Sequence, residues 1–355
     1  MKITDIRSLR EDFKLTRPYT ITFRSIDDVQ MHFVEISTDN GLTGIGCASP
    51  EAMVTGETRE ACGAALEHDA LSWLLGKDPR TLPALCRELD GKMPGAPAAR
   101  AAVDIALHDL LAQHLDMPLV EMLGRAHRSL ATSITIGIKP VDETVEEAQE
   151  YVGRGFKILK VKLGHSLDED LARLAQLRER IGKSIGIRVD PNQGYSAAQL
   201  NTFVDRTKGL NIEFLEQPMA ADDIDAMRAL PEDVRARLAA DETLLDARDA
   251  LKLIEPPRAC GIFNIKLMKC GGVRAAGRIA DIADNAGIEL MWGCMDESIV
   301  SISAALHAAL ASPATRYLDL DGSLDLARDV VDGGFVLEDG YLRTTDAPGL
   351  GVRRL

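Results

Sequence analysis

Residues 186–218 read GIRVDPNQGYSAAQLNTFVDRTKGLNIEFLEQP. A short apolar run at 186–189 is followed by a polar turn. A stretch of helical period covers 197–207, and a second apolar run follows at 212–215. Short apolar runs bounded by turn residues read as buried strands, and apolar residues recurring every three to four positions read as a helix. Strand, helix and strand within about 30 residues make a βαβ unit, with both strands parallel in one sheet.

The alternation continues in both directions. Further strands are expected at 133–136, 158–163, 238–240, 263–267, 288–292 and 317–320, and further helices at 141–154, 167–181, 247–254 and 275–285. Eight strands at this period describe an α/β protein built on a (β/α) barrel. An open doubly wound sheet is disfavoured, because no G-x-G-x-x-G follows a strand. The first 125 residues differ. Strands at 21–23, 31–37 and 43–46 precede helices at 58–68 and 98–115, the second rich in alanine, which gives an α+β unit. Beyond Gly322, DGGF and LEDGYLR predict a hairpin that returns to the first unit. The expected organisation is therefore 1–125, 126–321 and 322–355.

The composition, 46% hydrophobic and 27% charged over 355 residues, is that of a globular protein. A net charge of −14 argues against nucleic acid and against an anionic membrane surface, and leaves cationic small molecules open. Six cysteines without zinc-site spacing predict reduced thiols in the cytoplasm. The opening MKITDIRSLREDFKL alternates charged and apolar residues and is no secretory signal. No apolar run approaches the roughly 20 residues of a membrane span.

Chemistry on a (β/α) barrel gathers at the C-terminal ends of the strands. The third, fourth and fifth strands end in Asp190, Glu216 and Asp241. One such aspartate is readily explained as a helix cap. Three acids in register are not, since they cannot all stay ionised in a dry site without a cation. An all-oxygen donor set predicts Mg²⁺ first and Mn²⁺ second. Lys160 and Lys162 lie two apart on the second strand and share a face. Lys266, on the sixth strand, faces that strand across the barrel mouth. A lysine beside a metal and a second lysine is expected to have a lowered pKa and to serve as a base. Two such bases on opposite sides of one carbon invert it. Lys160 is free to hold a substrate carboxylate.

Lys-x-Lys, Asp-x-Asn, Glu-Gln-Pro, Asp-Glu and Asn-Ile-Lys, in this order on successive strands, resemble the enolase superfamily and its muconate-lactonizing-enzyme subgroup. The resemblance covers essentially the whole chain. It implies a modified TIM barrel, (β/α)₇β, with an N-terminal α+β capping domain, and a homo-oligomer. Asp319-Leu320-Asp321 resembles the Asp-x-Asp motif of dipeptide epimerases, whose carboxylates hold the free α-ammonium of the substrate. The resemblance then implies Mg²⁺ on Asp190, Glu216 and Asp241, a substrate carboxylate bound by the metal and Lys160, and proton transfer by Lys162 and Lys266 through an enediolate. Thr135, on the first barrel strand, joins the substrate-binding set.

Relatives acting on Ala-Glu usually carry an apolar residue where this chain has Asp296, in GCMDES. Glu51, in CASPEAM, and Asp27 and Asp28 add further acids on the cap side. Acids around a specificity pocket favour Lys or Arg side chains and repel Glu. The pattern is similar to the cationic-dipeptide branch. Arg24, on a cap loop, points instead to an acidic substrate, and Asp296 has the simpler reading of a cap for the helix at 298–310. The alternatives are an L-Ala-D/L-Glu epimerase, an N-acylamino acid racemase, a muconate-type cycloisomerase and a non-catalytic binding barrel.

Overall fold

The computed structural model describes residues 1–21 and 24–355. Thr22 and Phe23, part of the strand expected at 21–23, lie outside the described residues, as does the side chain of Arg24.

Eight parallel strands run in sequence order: Ile134–Ile136, Ile158–Lys162, Gly186–Asp190, Ile212–Glu216, Leu238–Ala240, Ile262–Ile265, Glu289–Gly293 and Thr315–Asp319. A parallel bridge between Thr132 and Leu318 brings the first strand against the eighth and closes the barrel. Helices Val141–Gly153, Leu167–Ile181, Ala197–Thr207, Ala247–Ile254, Val273–Ala286 and Ile299–Ala311 fall between the strands. The sixth strand was expected to run to residue 267. It stops at Ile265, because Lys266 is extended and begins the short helix Leu267–Cys270.

Alternation along the strands builds the barrel interior in layers. The lower layer holds Phe214, Ala239, Ile262 and Met291, with Tyr317 against them. The guanidinium of the buried Arg188 stacks 5.3 Å from the Phe214 ring and 5.1 Å from that of Tyr317. It donates to Leu318 O at 2.6 Å and to Glu213 Oε2 at 2.9 Å. Two residues further along the same strands come Asp190, Glu216, Asp241, Asn264 and Asp319. The apolar floor therefore sits directly beneath a charged mouth.

The N-terminal unit differs from expectation. Ile3–Ile21 is one long strand, antiparallel to Arg24–Thr38, which pairs in turn with Thr43–Ala48. The alternation of charged and apolar residues in the opening segment was itself a strand signal, of a strand with one face buried. Helix Pro97–His114 packs on this sheet. Its alanines permit a very close approach: a Cβ at Gly46 would stand 1.8 Å from Ala102 O. The C-terminal segment forms the hairpin Phe335–Glu338 with Tyr341–Thr344 and ties back to the N-terminal unit. Thr16 N donates to Asp325 O at 2.7 Å, and Leu350 N to Asp109 Oδ1 at 2.8 Å. Among the described residues no helix is long and apolar enough to cross a membrane.

Candidate active site

Strand register carries the charged groups to the mouth. Lys162 and Asp190 are paired across the second and third strands, and Lys162 Nζ reaches Asp190 Oδ2 at 2.6 Å. Lys160, almost fully buried, sits among three acids: Glu216 Oε2 at 2.7 Å, Asp319 Oδ2 at 2.8 Å and Asp190 Oδ2 at 3.3 Å. Lys266 Nζ stands 2.8 Å from Asp241 Oδ2. Lys162 and Lys266 come from strands four apart in the closed sheet, and both line the same two cavities. The three acids from consecutive strands thus lie between lysines on opposite walls.

The electrostatics record the crowding. Burial works to raise Asp190, but Lys162 and Lys160 outweigh it and hold the carboxyl below its ordinary value. Burial likewise opposes ionisation of Asp241, and Lys266 and Lys269 overcome it. Glu216 has less compensation: burial and the Asp190 charge push it up to about 8. Its Oε2 touches Lys160 but makes no well-formed hydrogen bond, and Glu242 Oε2 is also buried without one. Buried carboxylate oxygens short of donors are what a hard divalent cation would satisfy. Among the described residues, the compact group of ligand-type atoms within 4.8 Å of one another is Cys86, Asp104 and His108. That group has a structural explanation, since Asp104 Oδ1 accepts from Val273 N at 2.6 Å and so caps a barrel helix. The mouth carboxylates are spread by the lysines seated among them.

Burial pushes Lys266 down, but the Asp241 and Glu216 carboxylates prevail and raise it. Lys160 is raised in the same way, its burial outweighed by Asp319, Glu216 and Asp190. Lys160 thus stands among three carboxylates of the protein.

Two connected lobes flank the lysines. The first, about 880 Å³, is lined on the cap side by Glu51, Met53 and Arg59 and on the barrel side by Lys162, Lys266, Glu242 and Asp296. The second, about 590 Å³, holds Thr135, Asp319, Asp321 and Asp325 beside the same lysines. Thr135 enters through its backbone, its N–H donating to Asp321 Oδ2 at 2.7 Å. Asp319 is tied to Lys160 and accepts from Ser133 Oγ at 2.6 Å, so the two aspartates are not equivalent. Burial and the Asp319 charge push Asp321 up to about 7. Asp296 does not cap the following helix: Ser298 does. Asp296 lines both lobes and accepts from Tyr19 OH at 2.9 Å, and burial pushes it up to about 6. Glu51 caps the short helix Ala52–Thr55 at the rim of the first lobe. Asp28 is engaged by Arg59 and Lys14, both at 3.3 Å.

The sequence reading gave no role to Lys269, Asn264, Tyr19 or Asp325. Lys269 Nζ grips Asp241 Oδ1 at 2.5 Å, and Asn264 Nδ2 donates to Glu216 Oε1 at 2.9 Å. A Cβ at Gly293 would fall 2.6 Å from Asn264 Oδ1, which keeps that strand position small. For Asn264 the signal was register on the sixth strand, and Lys269 follows it in the short helix Leu267–Cys270. For Tyr19 no local signal exists.

A closed parallel barrel under an α+β cap, with acids on three successive strands between opposed lysines, defines a metal-assisted proton-transfer enzyme of the enolase type. The chain belongs to the mandelate racemase/muconate lactonizing enzyme family: residues 3–124 match its N-terminal domain and 143–354 the enolase C-terminal-like domain. It is 62% identical over 352 residues to the L-Lys-D/L-Arg epimerase of Methylococcus capsulatus, covering 99% of each chain. It is 56% identical to the L-Lys-D/L-Arg epimerase of Desulforapulum autotrophicum over the full length of both. Its fold superposes with a TM-score of 0.98 on the Methylococcus capsulatus dipeptide epimerase complexed with Mg and L-Arg-D-Lys, at 62% identity and 99% coverage of each chain.

Proposed function

We propose that this protein is a Mg²⁺-dependent dipeptide epimerase, an isomerase that inverts the α-carbon of the C-terminal residue of L,L-dipeptides and prefers Lys and Arg side chains. The observation that carries the reading is the pair Lys162 and Lys266, from strands four apart, lining one cavity that also contains Asp319 and Asp321. The relatives named above support both the reaction and the cationic preference.

Asp190, Glu216 and Asp241 would hold the ion. When bound, Mg²⁺ supplies positive charge that stabilises a carboxylate gaining negative charge as its α-proton leaves. Asp321, with Asp319, fixes the substrate ammonium and so positions the second residue between the lysines. One lysine takes the α-proton and the opposite one delivers a proton to the other face. Lys160 steadies Glu216, Asp190 and Asp319 as a group. Asp296 and Glu51 turn the first lobe towards cationic side chains, while Arg24 stays an unassigned member of the proposed set. The chain divides into a capping unit, 1–125, a barrel, 126–321, and a returning segment, 322–355. The described cysteines are all free, which suits a reducing cytoplasm, and a homo-oligomer is the expected assembly.

Incubation with Mg²⁺ and L-Lys-L-Arg in D₂O, followed by proton NMR, tests the reading. Loss of the C-terminal α-proton signal with appearance of the L,D diastereomer is expected. N-succinyl-L-Arg, which lacks a free ammonium, should react far more slowly. No exchange with any member of a dipeptide library would return the molecule to the binding-barrel alternative.

A further inference from the structure

Each lobe sees a different residue of the substrate, and this consequence rests on the function proposed above. Asp319 and Asp321 line only the second lobe. The ammonium they hold is attached to the first residue's own α-carbon, so that residue's side chain must lie in the second lobe. The second residue's α-carbon sits between the lysines, and its side chain is directed to the first lobe.

The acids of the second lobe are not equally available. Glu147 Oε1 accepts from Arg17 Nη1 at 2.9 Å and from Tyr151 OH at 2.9 Å, and its other oxygen is bound by Lys139. Arg17 is in turn neutralised by Glu147 and Glu150, so it offers a first-residue cation little repulsion. Asp319 belongs to Lys160 and Ser133, and Asp321 is the ammonium anchor. Asp296 Oδ2 accepts from Tyr19 OH, and Asp296 lines both lobes. Asp325 remains. Its backbone carbonyl accepts from Thr16 N at 2.7 Å and from Thr16 Oγ1 at 3.1 Å, fixing the main chain. Its carboxylate, half-buried in the lobe wall, makes no hydrogen bond or ion pair with the described residues. Arg17 lines the same lobe but pairs with Glu147 and Glu150, so Asp325 has no cation of its own in a partly dry wall, which is costly, and a guanidinium or ammonium from substrate would relieve that cost.

We propose that Asp325 binds the cationic side chain of the dipeptide's first residue and sets the enzyme's preference for Lys or Arg at that position, while Asp296 and Glu51 act on the second. The fixed main chain and the open carboxylate make this a preorganised contact, formed only by a first residue long enough to reach past the Asp319–Asp321 anchor.

The test compares kcat/KM for L-Lys-L-Arg and L-Ala-L-Arg in the unaltered enzyme and in Asp325→Asn. Losing a charge-assisted contact should lower kcat/KM for the Lys-first substrate about 10- to 100-fold more than for the Ala-first one, mostly through KM. The charge-reversed Asp325→Lys should shift the ratio further and raise relative activity on L-Glu-L-Arg. Equal losses on both substrates, or no loss on either, would overturn the assignment. If the unaltered enzyme epimerises no dipeptide, the proposed function itself fails. If it epimerises both and Asp325→Asn leaves their ratio unchanged, only the role of Asp325 fails.

Discussion

Replacing Lys269 by methionine isolates a charge that touches neither lobe. Lys269 is buried, with Nζ 2.5 Å from Asp241 Oδ1, 2.6 Å from Asp241 O and 3.1 Å from Asn264 O. Methionine fills the space of the aliphatic stem but leaves three oxygens without this donor. Each buried acceptor left unsatisfied costs about 1–3 kcal/mol. Removing one partner of a buried ion pair costs about 3–5 kcal/mol in all. Asp241 keeps Lys266 at 2.8 Å, so its charge is not stranded, and the lower end of that range, about 3 kcal/mol, is expected. The urea midpoint should fall with an unchanged m-value. A second readout follows from the position of the contact. Asp241 would lose the group that orients it, and the Mg²⁺ concentration for half-maximal activity should rise about 10- to 100-fold. A variant within about 1 kcal/mol of the parent, with an unaltered Mg²⁺ requirement, would refute the idea that Lys269 holds Asp241 in place.

Lys162→Ala and Lys266→Ala should each abolish epimerisation, measured by chiral chromatography, while each retains deuterium exchange on at most one diastereomer. Full epimerase activity in either would remove the two-base scheme. With Asp321 near 7, kcat/KM for a free-amine dipeptide should rise as pH climbs through about 7 and the carboxylate ionises. Asp321→Asn should lose that limb, and a pH profile that keeps it would assign the limb elsewhere. Asp109, which joins the cap sheet to the C-terminal segment through Ile45 N at 3.0 Å and Leu350 N at 2.8 Å, is pushed up to about 6 by burial. An acid raised on folding gives stability that is full at low pH and is lost as pH rises from about 3.9 through its folded value. The stability of the parent relative to Asp109→Asn should therefore fall by about 3 kcal/mol between pH 4 and 7, and a pH-independent difference in urea unfolding would contradict the shift.

The barrel was legible because its strands announce themselves twice. Each is a short apolar run, and most have a charged residue at or just past the C-terminal end. Reading the ends alone delivered Asp190, Glu216, Asp241, Lys162 and Lys266 to one mouth. The cap was less legible. Ile3–Ile21 carries few apolar residues, and its register shifts between Ile3 and Asp5 and again between Lys14 and Tyr19, which breaks the period of two. The contact from Tyr19 to Asp296 joins opposite ends of the chain and depends on how the cap sits on the barrel. Availability was equally hidden. Asp319 and Asp321 look alike in sequence, and only their neighbours show that one is spent on Lys160.

Charge balance then explains why two lysines can share the interior face of one strand. Four carboxylates, Asp190, Glu216, Asp241 and Asp319, meet four ammoniums, those of Lys160, Lys162, Lys266 and Lys269, at 3.3 Å or less. Acids and lysines are equal in number in this set, so the lysines stabilise the acids as the acids stabilise them. The remaining acids lie outside the balanced set in two places. Glu242 stands beside Asn192 at the third-to-fifth strand ends, and Asp321, Asp325 and Asp296 border the second lobe. A surplus of acids in a partly dry cavity is pushed toward the protonated form, and positive charge entering the cavity relieves it. The division of that surplus matches two different visitors: a metal ion at the strand ends, and a substrate bearing an ammonium and a cationic side chain in the lobe beyond. A neutral or acidic dipeptide would bring the ammonium but no cationic side chain to that lobe.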